Sequence, residues 1–250
     1  MSDAGWLFFL VAIPAAMLVG FSKGGLPVVG MLGVPVLSLV TSPVRAAALL
    51  LPIYVVTDMF GLWAYRREFD RRNLAILIPA ATVGVGIGWA TAFIVSERLV
   101  TLIVGIIGLS FCLNYWLASR RNNAPRPADL PRGLFWGTVS GFTSFVSHAG
   151  APPYQMYVIP QRLEKMVYSG TTTILFAAVN AVKLVPYWAL GQLSLDNLEL
   201  AAWLLPGAIA ATFAGVWLVR IIPQVLFYRL VLIALFLISL KLVADAAIAG

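Results

Sequence analysis

Ser22-Lys23-Gly24-Gly25-Leu26-Pro27 interrupts an apolar run that otherwise extends from Trp6 to Leu39. Much later, Ser147-His148-Ala149-Gly150-Ala151-Pro152 repeats the same order. Both blocks read as serine, a cationic or cationisable residue, a small residue, glycine, an apolar residue and proline. Glycine permits backbone geometries that other residues avoid, and a proline just after it suits the first turn of a helix. Each block therefore reads as a loop that opens a short helix inside a membrane-length apolar stretch. Such a loop survives at membrane depth only where protein buries it or a wet cavity lies beside it. The two blocks are thus the first candidates for a binding site.

The surrounding composition sets the class. Of 250 residues, 61% are hydrophobic and 11% charged, and the mean hydropathy is +0.93. That is too little polar surface for a soluble protein, and repeated apolar stretches of about 20 residues point to a polytopic helical membrane protein. The net charge of +7 comes from arginines grouped in short loops between spans, a positive-inside pattern rather than a nucleic-acid surface. The one cysteine, Cys112, excludes an internal disulfide. With one histidine and no cysteine cluster, neither a metal site nor a cofactor is expected. The N-terminal Met-Ser-Asp-Ala-Gly has no basic region before its apolar run, so the first segment is expected to be retained.

Full-length spans are expected at about 44–65, 73–95, 97–118, 166–189, 198–219 and 224–246. The limb Pro153 to Pro160 is too short to cross a core of about 30 Å at roughly 1.5 Å per residue. The second block is therefore expected at the tip of a hairpin, and the first is read the same way. A basic linker, 119–132, carries Arg120, Arg121, Arg126 and Arg132 with three prolines. It separates a first membrane repeat, 1–118, from a second, 133–250. The halves match elsewhere too: Gly20-Phe21 with Gly141-Phe142, Asp58 with Asn180, Pro79 with Pro206, and Gly88 with Gly215. Gly84 and Gly88 form a small-residue face whose counterpart is Ala211 and Gly215. Such faces pack helices within one chain or between copies, so a homo-oligomer is a possible partner arrangement. The fold class expected is all-α integral membrane protein, built of two inverted repeats, each a broken helix or re-entrant hairpin plus three transmembrane helices. Inverted repeats divide the loop cations twelve to three across the membrane, whereas parallel repeats divide them nine to six. The inverted arrangement places both termini outside.

Ionisable groups inside apolar segments cost about 2.5–3.5 kcal/mol each and mark a pathway or a pair. Lys23, Asp58 and Lys183 are the residues so placed. Asp58 reads either as a structural partner for a lysine or as a proton-coupling group, and His148 is the second coupling candidate. Asn180 and Lys183 lie three apart on one helix face, with Tyr187 one turn further. Thr171, Gln155 and Tyr157 are candidate lining residues. Two helix starts near the midplane, two lysines, a histidine and two serines suit an anion. The substrate-binding set is Ser22, Lys23, Gly24, Gly25, Ser147, His148, Gly150, Asn180 and Lys183, serving alternating access around a midplane site.

The run Gly20-Phe21-Ser22-Lys23-Gly24-Gly25, the span holding Leu51-Pro52 and Asp58, and Tyr65-Arg66-Arg67 resemble the TauE/SafE sulfite-exporter family. The second half adds His148-Ala149-Gly150-Ala151-Pro152-Pro153, Gly170-Thr171 and Asn180-Ala181-Val182-Lys183-Leu184. Ala151 departs from the second glycine common there. The resemblance covers nearly the whole chain. It implies a bacterial inner-membrane transporter of sulfite, sulfoacetate or other organosulfonates, with seven or eight spans in two repeats; the termini placed outside by the cation count are then periplasmic. Its partners are then a small sulfur anion, membrane lipid and, in a coupled carrier, protons. Two rivals remain: a passive anion channel, and an intramembrane hydrolase in which Gly20-Phe21-Ser22-Lys23-Gly24 serves as G-x-S-x-G. That motif has meaning at a strand-to-helix elbow, and no strand pattern precedes it, so no enzyme is expected.

Overall fold

The structure is a computed structural model and describes residues 3–118, 124–189 and 195–248. Arg120, Arg121 and both chain ends lie outside the described residues. Every regular element among those described is helical. In order they are α1 (Asp3–Lys23), α2 (Pro27–Gly30), α3 (Gly33–Leu37), α4 (Pro43–Ala64), α5 (Arg71–Ala90) and α6 (Glu97–Ala118). Then come α7 (Leu130–Ser147), α8 (Ala151–Val158) with a 3-10 turn at Ile159–Gln161, α9 (Lys165–Ala189), α10 (Leu195–Ile221) and α11 (Gln224–Ile248). Seven of these (α1, α4, α5, α6, α9, α10 and α11) are long and apolar enough to cross a membrane. The chain is an all-α integral membrane protein.

Helix starts follow the capping residues. The Ser42 hydroxyl accepts from Arg45 N ahead of Pro43, and Asp70 accepts from Asn73 N at 2.7 Å. The second cap starts α5 at Arg71 rather than 73. The same helix stops at Ala90 instead of 95. Thr91 N and Ala92 N close it onto Ile87 and Trp89, leaving Phe93 (91% exposed) and Ile94 (86%) on the turn to α6. Apolar residues are no guide there, because an exposed turn in a membrane protein need not be polar. The stretch expected to run on from Val28 to Leu39 is likewise split into α2 and α3 by a turn at Met31-Leu32.

The described chain groups into two compact units, residues 1–69 with 169–222, and residues 70–168 with 223–250. In the first, α1 packs across α10 and α4. Small residues let the backbones touch: a Cβ on Gly20 would stand 1.9 Å from Ala208 O, and one on Gly24 would stand 2.4 Å from Gly215 Cα. Behind this crossing α3 and α4 add Leu37, Leu49, Leu50 and Ile53 to a core with Ala12, Ala15 and Val19. In the second unit, α7 packs across α5, and α6 pairs with α11. There a Cβ on Gly141 would stand 2.0 Å from Ala81 O, and one on Gly84 would stand 2.0 Å from Thr138 O.

Each broken segment doubles back within its own unit. Gly30 sits against Ser22, where a Cβ would meet Oγ at 2.6 Å, and Gly33 sits against Val19 and Ala15. The limb after the first break therefore returns along α1. In the second unit, Arg126 N donates to Pro160 O at 3.1 Å, so entry to α7 and exit from α8 are joined at one end. Tyr157 Oη donates to Asp129 O at 3.0 Å at that same base.

Candidate functional site

An α-helix ends with carbonyls that have no intrahelical partner, and at membrane depth water cannot take them. At the first break other side chains do. Thr173 Oγ1 donates to Lys23 O at 3.2 Å, Tyr65 Oη to Gly24 O, and Ser169 Oγ to Gly25 O at 3.4 Å. Gly25 has φ of +115°, and a Cβ there would meet Ser169 Oγ at 2.6 Å and Tyr65 Oη at 2.8 Å. Only glycine leaves room for both hydroxyls and for that backbone angle. The second break uses hydroxyls from α7 itself: Ser140 Oγ donates to Gly150 O at 2.7 Å and Thr143 Oγ1 to Ala149 O at 3.0 Å.

The capped first break holds Lys23 at the end of α1, pointing into the unit. Its Nζ lies 2.7 Å from Asp58 Oδ1 on α4 and 5.0 Å from the centre of the Tyr54 ring. Asn180 Nδ2 on α9 donates to Asp58 Oδ2 at 2.7 Å. Tyr54 Oη donates to Gly30 O at 2.7 Å, tying the return limb to the same helix. Lys183, on the helix face of Asn180, acts electrostatically on Lys23 and Asp58. Exposure is 5% at Lys23, 3% at Asp58 and 2% at Lys183. These three are the buried charged residues among those described. Two amine side chains thus stand with one carboxyl in the same buried cluster, a composition that complements an anion better than a cation. Tyr187 and Thr171 are buried in the same unit, and Tyr187 acts on Tyr54.

The remaining candidates stand elsewhere. Ser22 Oγ donates to Val19 O at 2.6 Å and Ser147 Oγ to Thr143 O at 3.2 Å, so both hydroxyl protons are held by their own helices. Ser22 lies in the last turn of a helix, not at an elbow after a strand. Ser147, His148 and Gly150 belong to the second unit, as do Gln155 and Tyr157. The Gln155 side chain is wholly buried, whereas His148 is half-buried. His148 closes α7 with φ of 52°, a left-handed conformation that glycine adopts at less cost. His148→Gly is expected to keep or raise thermal stability, by up to about 1 kcal/mol, and any accompanying fall in anion affinity would then belong to the imidazole.

Two expectations change in detail. The helix starts supply few free amides: α2 is a four-residue helix opening on Pro27, and α8 opens Ala151-Pro152-Pro153. Proline has no N–H, and Tyr154 N is bonded to Gly150 O. Few helix-start amides are therefore open to a ligand at either break. The match of Lys23 with His148 also depends on aligning the breaks. Aligning the crossings, Gly20 at Ala208 with Gly141 at Ala81, pairs Lys23 with Ser144 instead. Four extra residues, about one helical turn, separate the crossing from the break in α7.

Sequence reading missed Tyr54, Tyr65 and Ser169. Tyr54 stands four residues before Asp58, a spacing that places both on one helix face. Tyr65 and Ser169 reach their carbonyls over 41 and 144 residues, with no local signal.

A buried anion-favouring cluster inside a bundle of apolar helices agrees with the outcome of comparison. The family model Sulfite exporter TauE/SafE matches residues 12–242. The chain belongs to the TauE/SafE family. No curated protein and no solved structure matches it. TauE/SafE is a transporter family, so this multi-pass membrane protein takes a small anion as its substrate class.

Proposed function

We propose that this protein carries small sulfur anions (sulfite, sulfoacetate or another organosulfonate) out across a bacterial inner membrane by alternating access, with both termini periplasmic. The observation that carries the proposal is the Lys23–Asp58–Asn180 chain with Lys183 in the same buried cluster, two amines beside one carboxyl. A sulfite or sulfonate group offers several acceptor oxygens and at least one negative charge, which complement ammonium and amide donors. Export is the favoured direction because an inside-negative potential drives an anion outward by about 2.3 kcal/mol per charge per 100 mV. No coupling ion is then required. In the proposal Lys23, Lys183 and Asn180 contact the anion, and His148 is a second, separate contact.

The paired crossings support an internal duplication. Gly20 meets Ala208 as Gly141 meets Ala81, and Gly215 approaches Phe21 O as Gly88 approaches Phe142 O. A thermal-shift screen of the purified protein against sulfite, thiosulfate, sulfoacetate and toluene sulfonate tests the substrate class, with chloride and acetate as controls. A concentration-dependent rise in Tm is expected for one or more sulfur anions and not for the controls. Equal shifts with chloride would instead indicate an unselective anion channel.

A further inference from the structure

Lys23 and Asp58 form a 2.7 Å ion pair, both members of which are buried. Replacing both members of a buried ion pair by apolar or neutral residues of like shape is often neutral for stability, so the pair need not be retained for the fold. Its surroundings show what else it does. Asp58 is held from the far side by Asn180, and Lys23 is steadied by the Tyr54 ring, itself fixed to Gly30 O. The carboxylate thus presents one oxygen to Lys23 at 2.7 Å, the same charge-assisted contact that an oxyanion oxygen would make with that ammonium. Lys183, buried on the face of α9 that carries Asn180, acts electrostatically on both members of the pair.

We infer that Asp58 is a tethered stand-in for the substrate: its carboxylate holds Lys23 until substrate arrives and then yields that ammonium to the oxyanion. This rests on the anion-transport proposal and adds an exchange step to it. Substrate entry breaks the Lys23–Asp58 contact and forms one between Lys23 and the anion, with no proton transferred. Product leaves when the carboxylate returns, so the anion is never required to abandon a bare buried ammonium, which is costly. A sulfur oxyanion with acceptor oxygens on two sides can bridge Lys23 and Lys183 at once. Chloride, a single sphere of charge, gives no such directional pair of hydrogen bonds.

Affinity should then follow the net buried charge rather than the presence of Lys23 alone. Counting formal side-chain charges, the site carries one net positive charge in the wild type, none in Lys23→Met, one in Lys23→Met with Asp58→Asn, and two in Asp58→Asn. Sulfite binding is measured by titration calorimetry on the full-length purified protein, with thermal unfolding recorded for each variant. Lys23→Met is expected to lose about tenfold or more in affinity, and the double variant to return to within about threefold of wild type. Asp58→Asn alone is expected to bind about fivefold tighter or more, while its transport turnover falls because product is not displaced. The double variant removes both members of the Lys23–Asp58 contact, so neither is left buried without the other, and it remains informative even where Asp58→Asn folds poorly. Failure of Asp58→Asn to rescue Lys23→Met overturns the inference. Collapse of the double variant overturns it as well, since the pair would then be a structural strut. Absence of sulfite binding by the wild type, with the same absence for the sulfonates, counts instead against the transport proposal.

Discussion

Lys183→Ala is expected to abolish binding of sulfur anions while leaving the protein folded. Lys183 is 2% exposed and lies on α9 one turn from Asn180, whose amide already holds Asp58. Removing its ammonium leaves one lysine and one carboxylate in contact, with no net charge to attract an anion. Truncating one partner of a buried, hydrogen-bonded charge contact costs about 2–5 kcal/mol, or on the order of 30- to several thousand-fold in affinity. The variant should remain folded because it deletes a cation from an apolar environment rather than adding one. Thermal unfolding with increasing sulfite reads both properties. The variant should unfold near the wild-type temperature without ligand and gain nothing from sulfite at concentrations that stabilise the wild type. Lys183→Met keeps the apolar stem and should behave alike. Wild-type affinity in either variant would remove Lys183 from the site.

The second large effect concerns the backbone crossings. Gly20→Ala would drive a methyl to 1.9 Å from Ala208 O, and Gly141→Ala would drive one to 2.0 Å from Ala81 O. Both obstacles are backbone atoms, which cannot swing aside as a side chain would. Each variant is expected to lose about 2–3 kcal/mol of stability, or more where the helices must part. Gly86→Ala is the control: nothing lies within 4 Å of the added methyl, and stability should be unchanged or slightly higher. Tm measured in one detergent distinguishes these cases. Similar losses at Gly20 and Gly141 follow if the two crossings descend from one duplicated unit. A neutral Gly141→Ala beside a damaging Gly20→Ala would separate their roles.

Much of this architecture was legible because membrane helices announce themselves by length. The expected span at 97–118 and the observed α6 agree at both ends, and α4 and α9 differ from expectation by one residue. Boundaries failed where polarity stopped being informative. Phe93 and Ile94 look like helix but sit on a turn, since an apolar exterior imposes no penalty on them. Within the site, Lys23, Asp58 and Lys183 were legible because a charge in an apolar run is rare and costly. Asp58 and Asn180, which the sequence matches to one another, are hydrogen-bonded to each other. The capping of Gly24 O by Tyr65 and of Gly25 O by Ser169 was not. Those contacts arise only when distant helices come together, and a tyrosine or serine in an apolar run has many other uses. The supply of amides at α8 was readable and overlooked, because Pro152 and Pro153 state in the sequence that two donors are missing.

The most direct test places the anion itself. Selenite shares the charge and pyramidal shape of sulfite and carries an anomalous scatterer. Crystals of the protein equilibrated with selenite should show a selenium peak within about 4 Å of Lys183 Nζ and Lys23 Nζ, a distance set by one N–H···O contact plus one Se–O bond. The Lys23–Asp58 separation should lengthen beyond its 2.7 Å in the same crystals. A selenium peak elsewhere in a protein that transports selenite, with Lys23 and Asp58 still in contact, would contradict a buried-lysine site.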